Sequence, residues 1–361
     1  MRDSRRAEVL GSLGAGEPER AELLAYNENV FQSADLSGVT FPLADEPFVA
    51  TWEEYARGGM ASLQQALPQL SFPVKRGISE TEDYRAATRK GLAVRGPGLP
   101  LANAAGCEIR LHATPAGRIP LLIVAERDDF VQLVRALTMR NEPQPVPASM
   151  GACMVAGFNN WDRMARYRAG WEAANPAGDW AAEFQRIVPQ KHLYQDRFII
   201  LSDGPYSGVP AETLGLNEAE WRRMSLAIRR EHECAHYFTR RVFNSMRNNI
   251  LDELIADYCG IRAATGRYRA DWFLRFAGLE DFPRYREGGR LQNYRGTLSG
   301  AAFLVLQRLV VEAARNLEAF DQAGDDADLP RMLVTLSHFT LEELAAPEAP
   351  ESLERERAVS L

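Results

Sequence analysis

Two histidines four residues apart, His232 and His236, constrain the fold of this 361-residue chain more than any other feature. Residues at positions i and i+4 project from the same face of an α-helix, about one turn apart. If the stretch is helical, this spacing suits a single tetrahedral zinc ion. Glu233 follows the first histidine and would lean towards the open coordination site. That is the position of a general base acting on metal-bound water.

The residues before the histidines predict a helix. Asn217 can cap its start, and Glu220 three residues later can reach back to the cap. The apolar spacing that leads into the histidines is made by Trp221, Met224 and Ile228. The two histidines therefore lie on the buried stripe of this helix. As an alternative, they could be core histidines whose hydrogen bonds are satisfied by their neighbours.

A second helix is predicted from Leu251 to Ile261, after a turn at Asn244 to Asn248. The first helix would continue about seven residues beyond His236, and Glu253 would lie about four to five residues into the returning helix. At about 1.5 Å per residue, these two distances along the helices are nearly the same. Glu253 would thus return level with the histidines, and we predict it as the third zinc ligand. Asp257, one turn later, would lie beside His232 and accept its spare imidazole N–H.

Several alternatives stay open at these positions. Asp252 is a rival third ligand, but if Asn249 caps the second helix, Asp252 becomes its third residue and has a capping role. Glu253 and Asp257 could also be an acidic pair that faces solvent. Cys259 could close the site as a fourth ligand, although Cys234 and Cys259 are more simply explained as small buried apolar residues. An E-x-x-H element is also used by di-iron bundles, but no second copy occurs here.

The pairing of His232-Glu233-Cys234-Ala235-His236 with Glu253-Leu254-Ile255-Ala256-Asp257 resembles the gluzincin metallopeptidases, the thermolysin-like clan. The resemblance covers about residues 195 to 262. The linker of sixteen residues between the two parts is somewhat shorter than is usual in that clan. The resemblance implies zinc held by His232, His236 and Glu253, with Glu233 as the base and Asp257 supporting a ligand.

The resemblance also implies an edge strand beside the zinc that receives an extended substrate by strand addition. The segment from Arg197 to Gly204 reads as a strand and precedes the metal helix, so its chain order suits that role. An ordinary buried strand explains the segment equally well.

Composition and charge exclude several classes of protein. With 46% apolar residues the chain can bury a large core. A net charge of -7 argues against a general binder of nucleic acid or of anionic membranes. No long uncharged apolar run suggests a transmembrane helix, and the first residues lead into no signal-peptide core. We therefore predict a cytoplasmic protein without nucleic-acid or membrane partners.

The predicted fold class is α+β, and three regions are expected. Residues 1–145 form a small N-terminal α/β portion of unknown role, and prolines between Asn141 and Pro147 mark its end. Residues 146–345 form a mainly helical, zincin-like catalytic domain in which a strand precedes the metal-binding helix. Residues 346–361 form a charged C-terminal tail.

The predicted function is a zinc-dependent metallohydrolase, above all a peptidase that cleaves a peptide or amide bond through zinc-bound water. Glu233 would take the proton of the water and pass it to the leaving amine. Tyr294 or His338 could stabilise the developing oxyanion, although a structural role explains each equally well. The alternatives are a hydrolase of small amides and a non-catalytic binding protein with a structural metal or a metal-free helical core.

Overall fold

The computed structural model describes residues 2–31, 36, 38–246, 249–323 and 328–360. The chain divides into two compact units. The sheet unit consists of residues 44–204, and the helical unit consists of residues 1–43 together with 205–361. A small sheet in one unit and a mainly helical second unit confirm the predicted α+β class.

The helical unit begins with α1 (Arg2–Ser12) and α2 (Glu17–Tyr26). The sheet unit follows with α3 (Val49–Ala66), α4 (Glu82–Lys90), β1 (Cys107–His112), β2 (Ile119–Val124), α5 (Arg127–Thr138), β3 (Ala152–Asn159), α6 (Trp161–Ala174), α7 (Trp180–Ile187) and β4 (Gln195–Ser202). The helical unit resumes with α8 (Glu218–Val242), α9 (Asn249–Thr265), α10 (Ala270–Ala277), α11 (Gly300–Ala323), α12 (Leu329–Ser337), α13 (Leu341–Ala345) and α14 (Ala349–Val359).

The four strands form one mixed sheet in the order β1-β2-β4-β3. β2 and β4 are parallel, and the other two pairs are antiparallel. β2 is apolar throughout, and β4 carries an apolar run from Phe198 to Leu201, because these residues are buried on both faces of the sheet. One face of the sheet packs on α3 and α5 through a core that includes Trp52, Phe130 and Phe198.

This topology decides between two open alternatives and corrects the domain boundaries. β4 contains most of the segment from Arg197 to Gly204 and lies between β2 and β3, so it is an ordinary buried strand and not the edge strand that the resemblance implied. The compact units also do not follow the predicted boundaries at 145/146 and 345/346. β3 and β4 come after residue 145 and complete the sheet that β1 and β2 begin, so the chain cannot divide there.

The helical unit is organised around the hairpin of α8 and α9. Asn217 caps α8 as predicted, because its side chain accepts a 2.9 Å hydrogen bond from the Glu220 backbone N–H. The predicted charged tail is largely the helix α14, which buries Ala349 and Leu353 and so packs one apolar face. Within the described residues, no helix is long and apolar enough to span a membrane.

Candidate metal centre

Three side chains of the helical unit converge on one point. α8 carries His232 and His236, whose Nε2 atoms lie 3.1 Å apart. α9 carries Glu253, whose carboxylate oxygens lie 3.5 Å from the Nε2 of His232 and 3.6 Å from the Nε2 of His236. These are the three residues predicted as zinc ligands, and the structure brings them together.

The spacing of the three side chains fits a tetrahedral metal ion. Ligand atoms at about 2.0 to 2.2 Å from zinc are separated by about 3.3 to 3.5 Å along the edges of a tetrahedron. The observed separations of 3.1, 3.5 and 3.6 Å are close to that range. No fourth His, Cys, Asp or Glu of the described chain joins this group. The group thus offers three possible ligands, whereas a closed structural zinc site has four.

Asp257 supports the first histidine from one turn further along α9. It is fully buried, and its Oδ1 lies 2.8 Å from His232 Nδ1. When Nδ1–H donates to this carboxylate, the Nε2 of His232 carries a lone pair that can bind a metal ion. Asp257 therefore lies where the sequence places it, beside His232.

Tyr206 and Arg290 complete the surroundings of Asp257, and the sequence analysis missed both. The Tyr206 hydroxyl lies 3.0 Å from His232 Nδ1 and donates a 2.5 Å hydrogen bond to Asp257 Oδ1. Arg290 donates to the Tyr206 hydroxyl at 2.8 Å and pairs with Asp257 Oδ2. Burial alone would raise the pKa of Asp257, but Arg290, His232 and Tyr206 together lower it to about 2. The carboxylate is therefore ionised.

Asp252 has the corresponding place beside the second histidine. It is buried, and its Oδ2 lies 3.1 Å from His236 Nδ1. The pair is at ion-pair distance but lacks the alignment of a hydrogen bond. The capping role considered for Asp252 is wrong, because its side chain faces His236 instead. Asn249 enters α9 with a φ of 50°, and its side chain donates a 2.5 Å hydrogen bond to the Tyr26 carbonyl.

The charge around the centre favours a cation. Burial disfavours protonation of His236, but Asp252, Glu253 and Glu233 raise its pKa to about 10. Burial also opposes ionisation of Glu253, yet the two histidines and Arg290 lower its pKa. These carboxylates carry more negative charge than the Arg290 guanidinium can neutralise, so a proton or a metal ion between the imidazoles would offset part of it.

Glu233, the predicted general base, has a carboxylate that lies outside the group of three possible ligands. It follows His232 on α8 and is partly exposed. It raises the pKa of His236, so its charge acts on the centre, but it is not one of the three converging ligands. This arrangement leaves Glu233 available as a base.

The thiols near the hairpin behave as buried apolar groups. Cys234 and Cys259 are both free and buried. Burial is the largest cause that raises the pKa of each thiol, and the Glu231 carboxylate raises it further. Neither thiol joins the group formed by His232, His236 and Glu253. Both observations disfavour a thiolate ligand.

Of the two candidates for an oxyanion donor, only Tyr294 is placed at the centre. Burial raises the pKa of Tyr294, and the Glu253 carboxylate raises it further against the effect of Arg290, so the Tyr294 side chain lies near that carboxylate. The hydroxyl therefore stays protonated and can donate. His338 instead faces Glu356 of α14, with Nδ1 2.6 Å from the carboxylate.

A glycine of α9 allows the two metal-bearing helices to approach. A Cβ at Gly260 would lie 2.5 Å from the Ile228 carbonyl oxygen and 2.9 Å from its Cγ2. Any larger residue at this position would push α9 away from α8. The close approach is one reason why Glu253 reaches the histidines.

A family model matches residues 8–348, nearly the whole chain, including both units and the centre. The chain belongs to that family, which is described as a family of unknown function (DUF7005). No curated protein and no solved structure matches the chain. The family membership therefore adds no activity, and the case for a function rests on the geometry of the centre.

Proposed function

We propose that this member of the family is a zinc-dependent metallohydrolase, and specifically a peptidase. The observation that carries the proposal is the convergence of His232 Nε2, His236 Nε2 and a Glu253 carboxylate at separations of 3.1 to 3.6 Å. Three ligands from a helix pair, with a glutamate beside the first histidine, are typical of catalytic rather than structural zinc sites.

Each side chain has a role in the proposed reaction. When bound, zinc would polarise the scissile carbonyl and lower the pKa of water. Glu233 takes the proton from the attacking water and delivers it to the leaving amine. Tyr294 donates its hydroxyl proton in a hydrogen bond to the developing oxyanion. Asp257 and Asp252 hold the imidazoles with Nε2 towards the ligand position.

A feature of the sheet unit supports the alternative of a non-catalytic peptide-binding protein. β3 is an edge strand, and residues 153–159 line a groove of about 690 Å³ along it. Arg89 and Arg140 also line this groove, and no acidic residue of the described chain does. An edge strand can bind an extended peptide through main-chain hydrogen bonds. The groove therefore supports peptide binding by the sheet unit itself.

Metal content is the first test of the proposal. The protein should be purified without a metal-affinity tag and analysed by elemental analysis, together with His232→Ala and Glu253→Ala. We expect about one zinc per chain in the wild type and little in either variant. Absence of metal from the wild type would contradict the enzyme proposal and leave a helical binding protein.

Peptide cleavage by Glu233→Gln is the second test, with Glu218→Gln as the matched control. Glu218 lies on the same helix but is exposed at its first turn. We expect the Glu233 variant to retain zinc and to lose at least about a hundredfold in turnover, whereas the Glu218 variant retains both. Full activity of Glu233→Gln would rule out the proposed base. Binding of peptides without cleavage by the zinc-loaded wild type would favour the binding protein.

A further inference from the structure

The short segment Arg290–Tyr294 also reaches the centre, in addition to α8, α9 and the segment that carries Tyr206. Its first residue, Arg290, contacts Asp257 and Tyr206. Its last residue, Tyr294, lies close enough to Glu253 for that carboxylate to raise the pKa of its hydroxyl. The segment thus contacts the residues that support His232 and approaches Glu253. It comes 33 residues after Asp257, beyond α10.

The position of this segment is fixed by a tight backbone contact just before it. A Cβ at Gly289 would lie 2.6 Å from the Ala277 carbonyl oxygen and 2.7 Å from the Gly278 Cα. Gly289 has a φ of -58° and a ψ of 145°, a conformation that any residue can adopt. The close approach, not the dihedral angles, therefore requires glycine here.

The contact between Gly289 and Gly278 closes a loop of residues 278–289, which we name the 278–289 clasp. Further hydrogen bonds hold this loop. The Arg286 N–H donates to the Gly278 carbonyl at 2.8 Å, and the Gly289 N–H donates to the Arg286 carbonyl at 3.0 Å. The Tyr285 hydroxyl donates to the Gly289 carbonyl at 2.7 Å and accepts from the Gln292 N–H at 2.9 Å. The residues on either side of Arg290 are thereby fixed.

We propose that Arg290, delivered by the 278–289 clasp, is a positioning residue that sets the metal affinity of the centre by holding Asp257 and Tyr206 against His232. This inference rests on the proposed metal site. Two residues separate Arg290 from the proposed ion, because its guanidinium binds Asp257 Oδ2 while Asp257 Oδ1 faces His232 Nδ1. Partners that orient a ligand in this way typically change metal affinity by 10- to 100-fold.

Arginine suits this position better than lysine. Two different nitrogens of the Arg290 guanidinium reach two different acceptors, the Asp257 carboxylate and the Tyr206 hydroxyl. The guanidinium carbon also lies 5.4 Å from the centre of the Tyr206 ring. A planar fork can hold both groups in one geometry, whereas the single ammonium of lysine supplies the charge alone.

The test compares four variants by competitive titration of zinc against a chelator. Arg290→Gln and Gly289→Ala are expected to lower the affinity about tenfold. Arg290→Lys should recover part of the loss, because it restores the charge beside Asp257. Gly300→Ala is the matched control, since a Cβ at Gly300 meets nothing within 4 Å. Its affinity should equal that of the wild type.

The absorption spectrum of the cobalt-substituted proteins separates positioning from a general loss of stability. The visible bands of Co²⁺ report ligand geometry, so Arg290→Gln and Gly289→Ala should alter them, while Gly300→Ala should not. Thermal unfolding of the metal-free proteins shows which variants fold. If Arg290→Gln does not fold, Gly289→Ala still tests the inference independently. Unchanged affinity and spectra in folded variants would overturn the role of Arg290. A wild type that binds no metal would overturn the proposed function itself.

Discussion

The two histidines of the centre have differently built surroundings. His232 Nδ1 faces Asp257, which is held in turn by Tyr206 and Arg290. Among the described residues, His236 Nδ1 faces Asp252, at 3.1 Å and out of line for a hydrogen bond. The surroundings of His232 (the His232 side) form a closed polar network, whereas those of His236 (the His236 side) offer its Nδ1 one carboxylate. We infer that the His232 side defines the geometry of the centre and that the His236 side adapts to the ion.

Asp257→Asn should have the largest effect on stability and on zinc affinity, because it removes the carboxylate charge that faces His232 and Arg290. Arg290 would keep a largely buried positive charge without its partner, at a cost of about 3 kcal/mol in the free energy of unfolding. Zinc affinity should fall at least about tenfold. Denaturant unfolding and chelator titration measure the two effects. Wild-type values for both would contradict the dominance of this side.

Tyr206→Phe should have the next largest effect. The variant keeps the ring but removes the hydroxyl that donates to Asp257 and accepts from Arg290. A hydrogen bond to a charged group contributes about 2 kcal/mol, so a loss of that order in the free energy of unfolding is expected. Zinc affinity should fall by less than in Asp257→Asn. An affinity loss larger than in Asp257→Asn would show that Tyr206 acts on His232 directly.

Asp252→Asn tests the other side of the comparison. The substitution preserves volume and removes the carboxylate charge near His236, but it breaks no aligned hydrogen bond. We expect zinc affinity to fall less than about tenfold, below the loss in Asp257→Asn. If the two variants lose affinity equally, the two sides are equivalent and the comparison fails.

Cys259→Ala should have the smallest effect. The thiol is buried and lies outside the group of three ligands. Zinc content and affinity are therefore expected to match those of the wild type, with His232→Ala as the control that loses the metal. A loss of zinc in Cys259→Ala would identify a fourth protein ligand and favour a structural metal.

The hairpin itself could be predicted because its signals are local. The i, i+4 spacing placed His232 and His236 on one face, and the rise per residue of a helix placed Glu253 level with them. The structure brings these residues together. Asn217 as the cap of α8 also follows from neighbouring residues alone.

The rest depends on the path of the chain in three dimensions. Tyr206 precedes His232 by 26 residues, and Arg290 follows Asp257 by 33 residues, both in short segments without periodicity. The interior place of β4 depends on pairing with β2, far along the chain. The helix within the predicted charged tail could not be seen in the sequence because its charged residues conceal an apolar face at Ala349 and Leu353.

The contact of Gly260 with Ile228 bears on which metal ion the centre accepts. Two of the proposed ligands come from α8 and one from α9, so the distance between the helix axes would set the size of the metal site that the donor atoms form. The backbone of α8 leaves no room for a methyl group at Gly260. Gly260→Ala would widen the metal site and should shift its selectivity from zinc towards larger divalent ions such as Mn²⁺ or Cd²⁺. Selectivity for ionic radius would then be determined by a residue that never touches the ion.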